Sequence, residues 1–522
     1  MKNIKKFVAS LLAATMIFLL CGCKGEEYEA AIYADIGARV STLDPQLVSS
    51  SAERTVVLNV FEGLMKMGED GTPTLAAAEE YKKDGNSYIF TLKKGLLWND
   101  GTPLTAADFV FGFQRAASAD TLAPEYQSIA CIKGADAVHA GGDRSLLCVT
   151  ALDDRTLKIE LSHDDGDFLS TLTKPITMPC NRAFFESTNG KYGRDDDSLL
   201  CNGPYYLQIW DSYDYLVRIR RNSNYGGENE AIPASVYITS DTDEERTDLV
   251  KKNTLDLAFV RNPDAETLED DGLKVDRYYT RSWFIFINKN GALGNEKIRR
   301  ALSLSINRNS LSGEFPDYMK PLDIAVPRVC KRGEISVYDA VLPEVNAPQY
   351  QPDEAYRLYT DAAESIANSA PLSIIYSGDG NIDNLVSGVA SCWQRSLGCY
   401  INMTPFANNE AVLSTVGNGY YDVAVCAVDA VSDDVFDFLS SFKSGNSFGF
   451  SNAEYDRAVD AILSAGDGYI SAVGNAQALL TADNSVIPLA STPLVLAYDD
   501  SLSQVDYSIE GGYINFAKII KK

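Results

Sequence analysis

The side chains that do covalent or metal chemistry near neutral pH are scarce in this chain. Its two histidines, His139 and His163, stand far apart, without a metal-spaced partner or an adjacent nucleophile motif. No CxxC pair and no nucleophile–base pair is recognisable. An enzyme, a metal centre and a cofactor are therefore not expected. Acids are abundant instead: 72 Asp and Glu stand against 46 Lys and Arg, a formal net charge of −26 over 522 residues. Such a balance argues against nucleic acid as a partner, because phosphate contacts need clustered cations. It suits either attraction of cationic ligands or plain solubility. With Cys21 and Cys23 set aside, the cysteines are 131, 148, 180, 201, 330, 392, 399 and 426. Cys131 and Cys148 flank a glycine-rich connection, Gly134 to Asp143, that could bring two strands together and pair them as a disulfide; the alternative is two buried thiols.

The elements that must position any site are most legible between Asp84 and Arg115. Tyr88, Phe90 and Leu92 alternate with Ile89, Thr91 and Lys93, which predicts a strand with two unlike faces. Gly95 permits a turn, Leu96 to Trp98 form a second short apolar run, and Asn99-Asp100-Gly101 turn the chain again. Thr105 and Asp108 have capping-box spacing, so a helix starts there with Phe109, Val110 and Phe113 on one face. The segment carries no catalytic triad, phosphate-cradling glycine loop or metal cluster, and its simplest role is structural.

From Leu75, the wording LAAAEEYKKDGNSYIFTLKKGLLWNDGTPLTAADFVFGFQR resembles the signature region of the extracellular solute-binding proteins of family 5, which serve oligopeptide and dipeptide ABC importers. Further matches follow along the chain: Thr42-Leu43-Asp44-Pro45, Phe61-Glu62-Gly63-Leu64, Val149 to Leu157, Asn202-Gly203-Pro204-Tyr205, and Ile298 to Arg308. The resemblance implies an α/β, periplasmic-binding-protein-like two-lobed fold of class II, cluster C type, with an extra N-terminal subdomain. Beyond Pro352 the helix and strand alternation predicts a mixed sheet covered by helices. The expected division is 23–60, 180–268 and 495–522 in lobe I, 61–179 in the extra subdomain and 269–494 in lobe II, with a hinge near 265–275.

Lys2, Lys5 and Lys6 precede an apolar run, Phe7 to Leu20, too short for a comfortable permanent span, which predicts a signal peptide over 1–22. Leu20-Cys21-Gly22-Cys23 resembles the bacterial lipobox, which makes Cys23 the expected lipidated residue and anchors the protein to the outer face of the cell membrane.

The resemblance also supplies site expectations. Relatives hold a ligand α-amino group with an Asp after the strand that begins Tyr421-Asp422-Val423, which falls on Asp429, with Asp433 next. Main-chain contacts to an extended ligand fall on Ser49, Ser50 and Ser51 and on Cys426, Ala427 and Val428. The three serines could equally cap the next helix. Tyr126 lies near a tyrosine of the family loop, and Trp283 stands either stacked in the cleft or in the core. The expected function is capture of extended oligopeptides by hinge closure and delivery to ABC permease transmembrane subunits, by a monomer. The alternative is the same scaffold on a nickel chelate, haem, opine or oligosaccharide, or acting as a sensor.

Overall fold

The segment Ser282-Trp283-Phe284-Ile285-Phe286-Ile287 is apolar on both faces, so it must lie inside a sheet covered on each side. The computed structural model describes residues 30–522 apart from 69–70, 212–214, 228–230, 309–310, 312–314, 346–348, 363–371, 379–381, 446–447 and 449. In it Trp283, Ile285 and Ile287 enter one hydrophobic core while Phe284 and Phe286 enter another on the opposite face. Val423, Val425 and Ala427 divide from Ala424, Cys426 and Val428 in the same way.

These strands belong to an eleven-stranded mixed sheet. From edge to edge it runs Ile401–Phe406, Leu372–Ser377, Val423–Asp429, Lys274–Ile287, Val486–Tyr498, Leu257–Val260, Ala31–Asp35, Ser235–Thr239, Leu216–Arg221 and Tyr205–Asp211. Lys320–Pro321 pairs with Val486–Tyr498 off that path. Parallel pairs, Ala31–Asp35 with Ser235–Thr239 and Leu372–Ser377 with Ile401–Phe406, are joined to antiparallel neighbours. The two cores around Trp283 and Phe284 sandwich the half that begins at Ile401. Two others, around Ile32 and Phe90 and around Val250 and Ala258, sandwich the half that ends at Tyr205. The protein is thus a mixed α/β fold with two halves strung on one sheet.

Lys274–Ile287 and Val486–Tyr498 run through both halves. They pair from Lys274↔Tyr498 to Tyr278↔Leu494, lose register, and resume from Arg281↔Thr492. Two residues, Tyr279 and Thr280, there face one, Pro493, which is the arrangement of a β-bulge. Pro493 has no amide to donate, so the ladder is broken where the chain can best tolerate it. A second shift falls beside Pro488. The stretch 265–275 holds helix Ala265–Asp270 and the start of the long strand.

A separate four-stranded antiparallel sheet, Ala78–Asp84, Ser87–Leu92, Thr156–Glu160 and Val149–Ala151, packs against helix Ala106–Ala117. The Asp108 carboxylate accepts from the Thr105 amide at 2.8 Å, the expected cap. Leu96 to Trp98 form no strand; only Leu97 bridges to Pro103. Gly112 has a packing reason: a Cβ there would sit 2.3 Å from the Met178 carbonyl oxygen. Cys131 and Cys148 are free thiols, contrary to the expected disulfide. Main-chain bonds already hold their strands, from the Cys148 amide to Lys133 at 2.9 Å and from the Ser162 amide to Cys131 at 2.8 Å. No helix among the described residues is long and apolar enough to cross a membrane.

Candidate functional site

Where the two halves face each other on one side of the long strands, residues from both line a cleft of about 330 Å³. That is the low end of small-molecule sites, about 300–1,000 Å³. Helix Ser51–Val60 contributes Arg54, the segment after it in space contributes Glu125, Asp167 and Lys174, and the C-terminal turn contributes Glu510. The opposite half contributes Val431, Ser432, Asp434 and Asp437.

The cleft is strongly acidic. Arg54 is matched by Glu125 in an ion pair, leaving Lys174 to face Asp167, Asp434, Asp437 and Glu510. Glu510 is pushed up to about 8, first by burial and then by the charges of Asp433, Asp437 and Asp434, against which Lys174 acts weakly. Burial also raises Asp433, Asp434 and Asp167 above the usual carboxylate range. Two of these acids are held in place. Asp434 caps helix Val435–Ser440 by accepting from the Phe436 amide at 2.8 Å, and Asp437 accepts from the Ser432 hydroxyl at 2.8 Å. Carboxylates fixed this way at the mouth of the cleft would hold an ammonium group by charge-assisted hydrogen bonds.

The expected site residues fall differently. Asp429 lies directly across the ladder from Arg281, and its two oxygens accept from that guanidinium at 2.8 and 3.0 Å, so its charge is already matched. The second candidate, Asp433, reaches the cleft's edge: a Cβ on Gly71 would lie 3.8 Å from its Oδ1 and 3.7 Å from Glu510 Oε2. Ser50 is an N-cap that accepts from the Glu53 amide, and the Glu53 carboxylate takes the Ser49 and Ser50 amides at 3.0 and 3.1 Å. Ser51 is the first residue of the helix. The loop caps the helix that follows it.

Cys426, Ala427 and Val428 are buried, and their outer edge is not open. Ala427 donates to Asn409 Oδ1 at 2.7 Å and accepts from Asn409 Nδ2 at 2.9 Å. Trp283 is 1% exposed with its indole donating to Thr492 at 3.1 Å, a core residue with no face for a ligand. Tyr126 is also buried, donating to Asp136 at 2.7 Å and stacked on His139. Cys23 lies outside the described residues. Glu510, Asp167 and Lys174 carry no local sequence pattern that marks them, whereas the Ser50–Glu53 spacing was a readable capping box.

The comparisons fit this architecture. The family model of bacterial extracellular solute-binding proteins, family 5 Middle, matches residues 71–450. A periplasmic oligopeptide-binding protein of Salmonella typhimurium is 24% identical over 482 residues, covering 87% of this chain and 85% of its own. A probable deoxycholate-binding periplasmic protein of Escherichia coli is 26% identical, with 80% and 79% covered. The substrate-binding domain of an oligopeptide ABC transporter from Bacillus anthracis superposes with a TM-score of 0.74 at 21% identity, over 95% of this chain and 99% of that one. The Haemophilus influenzae oligopeptide-binding protein in complex with the peptide RPPGFSPFR gives 0.73 at 21%, over 95% and 100%. The chain belongs to the bacterial extracellular solute-binding proteins of family 5.

Proposed function

We propose that this protein is the capture component of an ABC importer, closing two lobes on a short peptide and passing it to permease transmembrane subunits. The observation that carries this reading is the acidic cleft to which both halves of the sheet contribute. An α-ammonium group is the part common to unmodified peptides, and Asp434 and Asp437, held by Phe436 and Ser432, are its partners. They replace Asp429 in that role. The bulge of Tyr279 and Thr280 against Pro493 is the hinge, because it is where the two crossing strands share the fewest main-chain bonds. A guest that touches both walls adds contacts only in the closed form and so shifts the population toward it. The relatives that are named for oligopeptides support the ligand class, and one named as a probable deoxycholate-binding protein is the reason to keep a non-peptide solute as the alternative. The excess of acids over Lys174 disfavours an anionic guest here.

The decisive measurement is mass spectrometry of small molecules released when the purified protein is denatured. A mixture of short peptides is expected; a single non-peptide metabolite would replace this reading by the alternative solutes.

The working protein is a monomer held outside the cytoplasmic membrane through lipid on Cys23, several acyl chains holding far better than one. The Cys23→Ala variant should appear in the soluble fraction after cell breakage, and persistence in the membrane fraction would refute the anchor.

A further inference from the structure

Acids of opposite halves face each other across the cleft with few cations between them. Glu510, on the C-terminal turn, looks onto Asp433, Asp434 and Asp437 of the other half, with Asp167 and Lys174 on its own side. The nearest approach that the geometry fixes is at Gly71, where a single Cβ position is 3.7 Å from Glu510 Oε2 and 3.8 Å from Asp433 Oδ1. Among the described residues, the other charges near these acids have partners of their own. Arg54 pairs with Glu125, Lys331 stands behind Asp433, and Arg332 and Tyr469 stand behind Asp434.

Like charges in a partly buried gap repel strongly unless a proton or a cation intervenes. Opening the lobes separates Glu510 from Asp433, Asp434 and Asp437 and returns water to the half-buried Glu510 and Asp433. We propose that lobe closure is proton-linked, the carboxyls that meet across the cleft taking up protons when it shuts and giving them back when it opens. This deepens the binding reading and rests on it.

The direction follows from linkage. A carboxyl with a higher pKa in the closed form favours closure fully below its open-form value and loses that contribution as pH rises through its closed-form value. For Glu510 the window therefore runs from the ordinary carboxylate range up to about 8. Closure is favoured in mildly acidic surroundings and weakened above neutrality. A cationic group on a guest would do the proton's work, so a guest with an ammonium in the cleft should bind with less proton uptake than a neutral one.

The test is small-angle scattering of the full soluble chain without added ligand, between pH 5.5 and 8.5, alongside Glu510→Gln and Asp433→Asn, each checked for folding by circular dichroism. The closed-to-open ratio of the unaltered protein should fall by about tenfold or more over that range. Each variant, lacking one titrating group of the facing pair, should show a smaller fall, and Glu510→Gln should be the more compact protein at pH 8.5. Trialanine at saturating concentration is added in a parallel arm. If trialanine compacts the protein but pH does not, the hinge stands and the proton linkage is overturned. If neither changes the profile, both are overturned. A pH response that survives intact in both variants also overturns the proposal, because these carboxyls are then not its source.

Discussion

Replacing Arg115 by Met should destabilise the protein by about 3–5 kcal/mol in urea denaturation, the largest loss expected from a single surface-neutral change in size. Arg115 lies on helix Ala106–Ala117, and its guanidinium donates to both oxygens of Asp44, at 3.1 and 2.5 Å, and also to Gln46. Both side chains of the ion pair are 4% exposed. Phe185 covers the guanidinium at 4.1 Å, so water cannot take the place of either partner. The pair joins helix Ala106–Ala117 to the loop before helix Ser51–Val60, and Gln46 extends it to the Met178 carbonyl at 3.1 Å. Without the cation, Asp44 is left buried and uncompensated, which is the expensive half of a broken pair. The Asp44→Leu, Arg115→Met double variant should recover much of the loss, since neither charge then remains. A double variant as unstable as the sum of the singles would show that packing, not charge, dominates here.

The second large effect concerns binding. The Asp434→Asn, Asp437→Asn double variant should lose roughly 5- to 30-fold in affinity for free-amino peptides, corresponding to about 1–2 kcal/mol for two solvent-exposed charges. Asn retains the cap on Phe436, so the helix Val435–Ser440 should persist. Calorimetric titration with trialanine and with N-acetyl-trialanine separates anchoring from general damage. The acetylated peptide has no ammonium, so it should bind the parent weakly and the variant no more weakly still. Equal affinity of parent and variant for trialanine would remove these acids from the site.

What the sequence could show was set by how far each interaction reaches along the chain. The capping pair Thr105 and Asp108 sits three residues apart, and the helix start is where that spacing puts it. The strand Val486–Tyr498 is apolar along nearly its whole length, and Pro493 faces the register break. The fate of Asp429 depended instead on Arg281, 148 residues away and paired with it only by ladder register. Glu510 and Asp433 likewise meet only because the last turn of the chain packs over the cleft. Such meetings have no spacing to read. Trp283 was decidable: its neighbours Phe284, Ile285, Phe286 and Ile287 leave neither face polar, and a residue in such a run has nowhere to go but inward. The apolar run Leu96 to Trp98 forms no strand because the tight turn at Asn99 to Gly101 leaves room for one bridge only.

The position of Val486–Tyr498 has a further consequence for biogenesis. It is wedged between Leu257–Val260 and Lys274–Ile287, so neither half can finish its share of the sheet until a strand near the chain's end has been made. Until that strand is in place the sheet lacks its central ladder. Once that strand arrives it stitches both halves together at once, and melting should be a single cooperative event rather than two.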